Sequence, residues 1–100
     1  MIMLWFYLDD EREVPIGFKA ILVRTAAQMK SLIDECWKTE TSFGIDFDHD
    51  LGSTVSGYDI AKYIVSNDIP MSVFHIHSMN PVGADNIRQL LSHYGYTESW

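Results

Sequence analysis

The sequence predicts an α/β fold built on a mostly parallel four-stranded sheet. Three observations carry that expectation. Four apolar runs, "MIMLWFYL", "FKAILVR", "SFGIDF" and "MSVFHIH", have the length and the β-branched or aromatic content of buried strands. Stretches with helical periodicity follow the second, third and fourth runs, the alternation that parallel pairing requires. Each run also stops abruptly at polar or charged residues, so the carboxyl end of every strand is marked.

In chain order, residues 1–8 read as a fully buried strand ending at Asp9-Asp10-Glu11. Residues 12–17, "REVPIG", are a turn-rich connection, and 18–24 form a second strand. A connection over 9–17 is short for a parallel crossover, which normally needs a dozen or more residues. Either a compact loop replaces the helix or the second strand runs antiparallel; the loop is the preferred reading. Thr25 caps a helix whose Met29, Leu32, Ile33, Cys36 and Trp37 recur on one face. Residues 42–47 form the third strand. Ser56-Gly-Tyr-Asp59 has the pattern of a capping box, opening a helix that turns Ile60, Ile64 and Val65 inward. Residues 71–77 form the fourth strand. Asn80-Pro81 starts the last helix, with Ile87, Leu90, Leu91 and Tyr94 on one face and Gly95 as its stop.

One hundred residues, 47% apolar and 21% charged, suit one globular domain spanning 1–100. The single cysteine, Cys36, excludes an internal disulfide and a multi-thiolate zinc site, and fits a reducing, cytoplasmic setting. The apolar opening is too short to span a bilayer and lacks the layout of a signal peptide, so no membrane is expected. A net charge of −7 argues against an extended nucleic-acid surface, which is normally basic. An anionic ligand would need help from a divalent cation.

In an open parallel sheet, ligands bind beyond the carboxyl ends of the strands. Those ends carry Asp9 and Asp10, then Arg24, then Asp48-His49-Asp50, then His77 and Ser78 with Asn80 just after. Carboxylates gathered from two strands do not all stay ionised in a dry site unless a cation joins them. Oxygen ligation by Asp9, Asp10 and Asp48 suits Mg²⁺ or Mn²⁺. Arg24, Ser78 and Asn80 are the candidates for phosphate contacts, Arg24 by its bidentate fork. His49 and His77 are candidates for proton transfer near neutral pH. His75 reads as a hydrogen-bonded core histidine. Asp46 is either a further member of the site or a satisfied buried acid.

At these residues the chain resembles the response-regulator receiver fold, with "LDDE" after strand one, an aspartate after strand three and Ser78 after strand four. That resemblance implies Mg²⁺ held by Asp9, Asp10 and Asp48 together with the backbone carbonyl of Asp50. More closely, "LDDER", "VRTA", "DHDLG", "GYD" and "HSMNPVG" are similar to the cyclic-phosphate-processing receiver-like domains, over about Leu8 to Asn86. The resemblance implies a receiver/flavodoxin-like three-layer sandwich with its first helix reduced to a loop. It also implies binding or processing of cyclic phosphates on nucleotides or RNA ends. Two features depart from ordinary receivers. No lysine is placed for phosphorelay and the sheet is expected to stop before a fifth strand; Asp46 also stands where a small or neutral residue is expected.

Three functions compete at this level. The first is a metal-assisted phosphoesterase using Asp48, His49, Asp50 and His77. The second is aspartyl-phosphate chemistry: Asp48-x-Asp50 after an apolar strand is similar to the pair in haloacid-dehalogenase-type phosphatases, a resemblance that implies Asp48 as nucleophile and Asp50 as acid/base. The third is a non-catalytic module that binds a nucleotide or a protein partner and packs through Trp5, Trp37 or Trp100.

Overall fold

The structure is a computed structural model and describes residues 3–99. Met1 and Ile2, at the start of the expected first strand, and Trp100 lie outside the described residues. The elements are β1 (Leu4–Leu8), β2 (Ile21–Val23), α1 (Ala26–Lys38), β3 (Phe43–Phe47), α2 (Gly57–Ser66), β4 (Val73–Ile76) and α3 (Pro81–His93). The sheet order is β2-β1-β3-β4 and every pairing is parallel.

The second strand is shorter than its apolar run. Pairing covers Ile21–Val23 alone, and Phe18 leaves the sheet to pack edge-on against Trp5, with ring centroids 5.6 Å apart. The β1–β2 connection therefore runs over 9–20, about the dozen residues a parallel crossover needs. Helix ends follow their local chemistry. Thr25 Oγ1 accepts from Gln28 N at 3.1 Å, Ser56 N donates to the Asp59 carboxylate at 2.7 Å, and Asn80 Oδ1 accepts from Gly83 N at 2.9 Å. Gly95, at φ +87°, follows the last turn of α3 in the left-handed conformation that glycine adopts without strain. Two residues of the expected stripes face solvent instead: Trp37 is 46% exposed and Tyr94 59%.

One hydrophobic core joins the three helices to a single face of the sheet. Phe6, Leu8, Phe43, Ile45, Phe47 and Phe74 meet Met29 and Ile33 of α1, Ile60 and Ile64 of α2, and Ile87 and Leu91 of α3. Side chains alternate across a strand, so Trp5, Tyr7, Gly44, Asp46, Val73 and His75 occupy the other face. No helix among the described residues covers them; the expected third layer is the 9–20 loop, with Phe18 against Trp5 and Tyr7. Beyond β4 the sheet continues further than expected. Glu98 makes a parallel bridge with Phe74, where Phe74 N donates to Thr97 O at 2.9 Å and Ser99 N to Phe74 O at 2.7 Å. Among the described residues no helix is long and apolar enough to cross a membrane.

Gly57, the first residue of α2, is a point of close approach. A Cβ there would lie 1.9 Å from the Asp48 carbonyl oxygen, and Gly57 N donates to His49 O at 2.7 Å. Gly57→Ala is expected to destabilise the domain by about 1–3 kcal/mol through overpacking against backbone. Urea unfolding of the purified variant measures this directly; a loss under about 0.5 kcal/mol would mean the loop yields freely.

Candidate metal centre

The strand register builds the site. Leu8 pairs with both Val23 and Phe47, and Phe47 pairs with Ile76, so the strands end level. The ladder then extends by one residue: Asp9 N donates to Val23 O at 3.0 Å, Asp48 N to Leu8 O at 3.0 Å, and His77 N to Phe47 O at 2.9 Å. Each of these residues follows an apolar residue of the core face, Leu8 and Phe47 fully buried and Ile76 partly so, and alternation turns its side chain toward the helix-free face. One ligand atom from each of Asp9, Asp48 and His77 then falls within 4.8 Å of the others.

Around them the polar groups are closely paired. Asp9 Oδ1 accepts from Glu11 N and Arg12 N, both at 2.8 Å, which folds the start of the 9–20 loop over the strand end. Asp9 Oδ2 lies 2.9 Å from His77 Nε2, and Asp46 Oδ1 lies 2.7 Å from His77 Nδ1. Asp46 Oδ1 also bonds His75 Nδ1 at 3.0 Å. The Tyr7 ring stacks on His77, centroids 4.2 Å apart and planes within 8°. Asp46 is thus a satisfied buried acid that also reaches the site, joining the two alternatives its sequence position left open.

The electrostatics follow from this packing. Burial opposes charge on His77, yet the Asp46 and Asp9 carboxylates outweigh it and raise the imidazole's pKa. Burial also works against Asp9, but amide donation from Arg12 and Glu11, with His77, lowers its pKa. Asp48 goes the other way: burial first, then the Asp9 charge, raise its pKa despite His77 and a hydrogen bond from Ser78. Asp48 is therefore the carboxylate whose ionised form added positive charge would relieve.

The remaining predicted residues divide into rim and support. Asp10 and Asp50 line a pocket of about 280 Å³ with Asp9, Asp48, Gly52 and Met79. Asp10 stands outside the cluster of Asp9, Asp48 and His77, against Gly52, where a Cβ would lie 2.6 Å from its carboxylate oxygen. The Asp50 pKa is lowered by a hydrogen bond from His49, with a weaker contribution from Asn80. His49 itself turns away from the pocket. Its ring lies against Gly83 of α3, where a Cβ would approach within 2.4 Å, and its Nδ1 bonds Asp50 at 3.1 Å.

Arg24 is engaged by the β1–β2 loop rather than open to a phosphate. Its guanidinium donates to the Arg12 carbonyl at 2.9 Å and to the Glu13 carboxylate. Ser78 Oγ accepts from Asn80 N at 3.1 Å and its hydroxyl supports Asp48, while Asn80 caps α3 and extends its amide toward Asp50 at 3.4 Å. A larger recess, lined by Leu22, Val23, Ala27 and Leu32 with Gln28 and Ser31, has no titratable group and stands apart from this chemistry.

An all-parallel sheet with a β2-β1-β3-β4 order, acids after β1 and β3 and a hydroxyl residue after β4, defines a receiver-like domain. The chain belongs to the cyclic-phosphate processing receiver domain family, which matches residues 4–93. No curated protein and no solved structure matches it significantly.

Proposed function

We propose that the chain binds and hydrolyses a cyclic phosphate on a nucleotide or an RNA end, with a divalent cation on the Asp9 and Asp48 carboxylates. The observation that carries this reading is the meeting of these two carboxylates with His77, at the ends of three strands, beside the acidic pocket that Asp9 and Asp48 line, in a chain of this family. A cation held there supplies the positive charge that a protein of net charge −7 lacks and polarises a phosphoryl oxygen.

The chain's own groups do the rest. Asp50, kept ionised by His49 and Asn80, offers an acceptor at the pocket mouth to a ribose hydroxyl or to the attacking water. Ser78 holds the Asp48 carboxylate, and Arg24 holds the loop that carries Asp10 to Glu13. Met79 is 79% exposed on the pocket wall and gives a base an apolar surface. The pocket volume, near the lower end for small-molecule sites, suits a phosphate and its sugar. Water adds to phosphorus, one ring ester oxygen leaves and takes up a proton, and a monoester results. Buried Cys36 stays a thiol in the reducing cytoplasmic setting this reading assumes.

Phosphorus NMR tests the reading on 2′,3′-cyclic nucleotides, cyclic oligonucleotides and RNA ends, with divalent cation or with chelator. A new monoester resonance, absent with chelator, is the expected result. Tight binding with an unchanged spectrum would instead make the chain a binding module. Neither binding nor turnover of any of them would overturn the proposal.

A further inference from the structure

We propose that His77 is itself a metal ligand, through Nε2, and that the centre is built for a first-row transition cation such as Mn²⁺, Co²⁺ or Zn²⁺ in preference to Mg²⁺. Asp46 is the positioning residue that aims the ring. This rests on the metal-centred reading above and names the kind of ion it uses.

The spacing of the donors comes first. His77 Nε2 and Asp9 Oδ2 are 2.9 Å apart, and one donor atom from each of Asp9, Asp48 and His77 lies within 4.8 Å of the others. Two neighbouring ligands on an octahedral ion with bonds of about 2.1 Å stand about 3.0 Å apart. A pair that shares a proton at this distance is therefore already spaced to share an ion. The alternative, that His77 serves as a mobile proton carrier, meets an obstacle in how tightly the ring is held.

Ring orientation is the second argument. Asp46 Oδ1, 2.7 Å from Nδ1, takes the proton on the far side of the ring and leaves Nε2 facing the Asp9 carboxylate. Carboxylate–histidine–metal arrangements use this geometry to fix the tautomer and raise ligand basicity. Asp46 is only 5% exposed, so it is too deep to meet a solvent-borne ligand itself. Its buried charge has His75 as a second partner at 3.0 Å. Tyr7, stacked at 4.2 Å with its ring plane within 8° of the imidazole's, closes one face of the ring and restricts its rotation.

Donor chemistry decides the ion. An all-oxygen set of Asp9, Asp10 and Asp48 would suit Mg²⁺, whereas Asp10 stands apart and an imidazole nitrogen takes its place. Imidazole nitrogen favours transition cations, and mixed nitrogen and carboxylate sets bind them ahead of Mg²⁺.

The experiment uses the full chain, stripped by chelator and loaded with Mg²⁺, Mn²⁺, Co²⁺ or Zn²⁺ alone. Calorimetry reads affinity, and pulsed electron paramagnetic resonance of the Mn²⁺ form reads nitrogen coupling. Transition cations are expected to bind on the order of tenfold or more tighter than Mg²⁺. Nitrogen coupling is expected in the parent chain and in His49→Ala, and is lost in His77→Ala. Labelling the parent and His49→Ala chains with ¹⁵N-histidine keeps the readout if His77→Ala does not fold. Asp46→Ala should weaken Mn²⁺ binding about 10–100-fold, with Asp46→Asn recovering part of it because its amide oxygen still accepts from Nδ1–H. Mn²⁺ bound without nitrogen coupling, or Mg²⁺ bound as tightly as Mn²⁺, would overturn His77 ligation and leave the phosphoesterase reading standing. Absence of binding by all four ions would overturn both.

Discussion

Asp48→Asn is expected to cut turnover of cyclic phosphates roughly 10²–10³-fold, while leaving the metal-free protein at least as stable as the parent. The first effect follows from charge. An amide in place of the carboxylate would remove a negative ligand of the proposed cation, and a weakened Lewis acid would forfeit several kcal/mol of transition-state stabilisation, each 1.36 kcal/mol being tenfold in rate. The second effect has the opposite sign. Burial and the Asp9 charge both disfavour ionised Asp48, so the native state carries an unfavourable negative charge at neutral pH. An Asn there removes that repulsion, and its oxygen can still accept from Ser78. Loss of activity together with unchanged or raised Tm marks a residue kept for function against stability. Phosphorus NMR rates and thermal melts in chelator, run on the same preparation, check both halves. A variant with parental turnover would remove Asp48 from the centre; one that melted well below the parent would make its role structural.

The convergence of Asp9, Asp48 and His77 was legible because each stands at the carboxyl end of an apolar run. Parallel strands that end level must bring such residues to one edge, and the ladder bonds from Asp9, Asp48 and His77 extend that alignment. What lay hidden depended on lateral neighbours or loop paths. Asp46 pairs with Tyr7 on one side and His75 on the other, and that register cannot be read from one strand at a time. His49 looked equivalent to His77, yet it turns to α3 because Gly83 leaves a space there that no local pattern announces. Arg24 was placed correctly at a strand end, but the backward fold of residues 9–13 claims its donors. The absence of a first helix could be anticipated from residues 9–17; that Phe18 would leave its apolar run and cover Trp5 and Tyr7 could not. Trp37 and Tyr94 sat on the expected faces at the very ends of their helices, where the core no longer reaches.

Phe47→Ala should cost about 3–5 kcal/mol, the usual penalty for deleting a fully buried aromatic ring. Phe47 has no measurable exposure, sits in register between Leu8 and Ile76, and faces the core shared by all three helices. For a domain of this size such a loss is roughly a third to a half of a typical total near 10 kcal/mol. It should lower Tm by at least about 12 °C. Trp37→Ala supplies the contrast, since the ring is 46% exposed and its removal should cost about 1 kcal/mol or less. Equal losses for the two variants would mean that the helices do not pack on this face of the sheet. The same variant also tests the link between core and site. Phe47 O accepts from His77 N at 2.9 Å, and the next residue is Asp48, so a cavity below this position loosens two members of the centre together. A cation present at 100 times its Kd stabilises an intact site by about 2.7 kcal/mol. Trp37→Ala should keep that gain, whereas Phe47→Ala should lose much of it at the same cation concentration, because the strand ends that set the donor spacing are no longer held level.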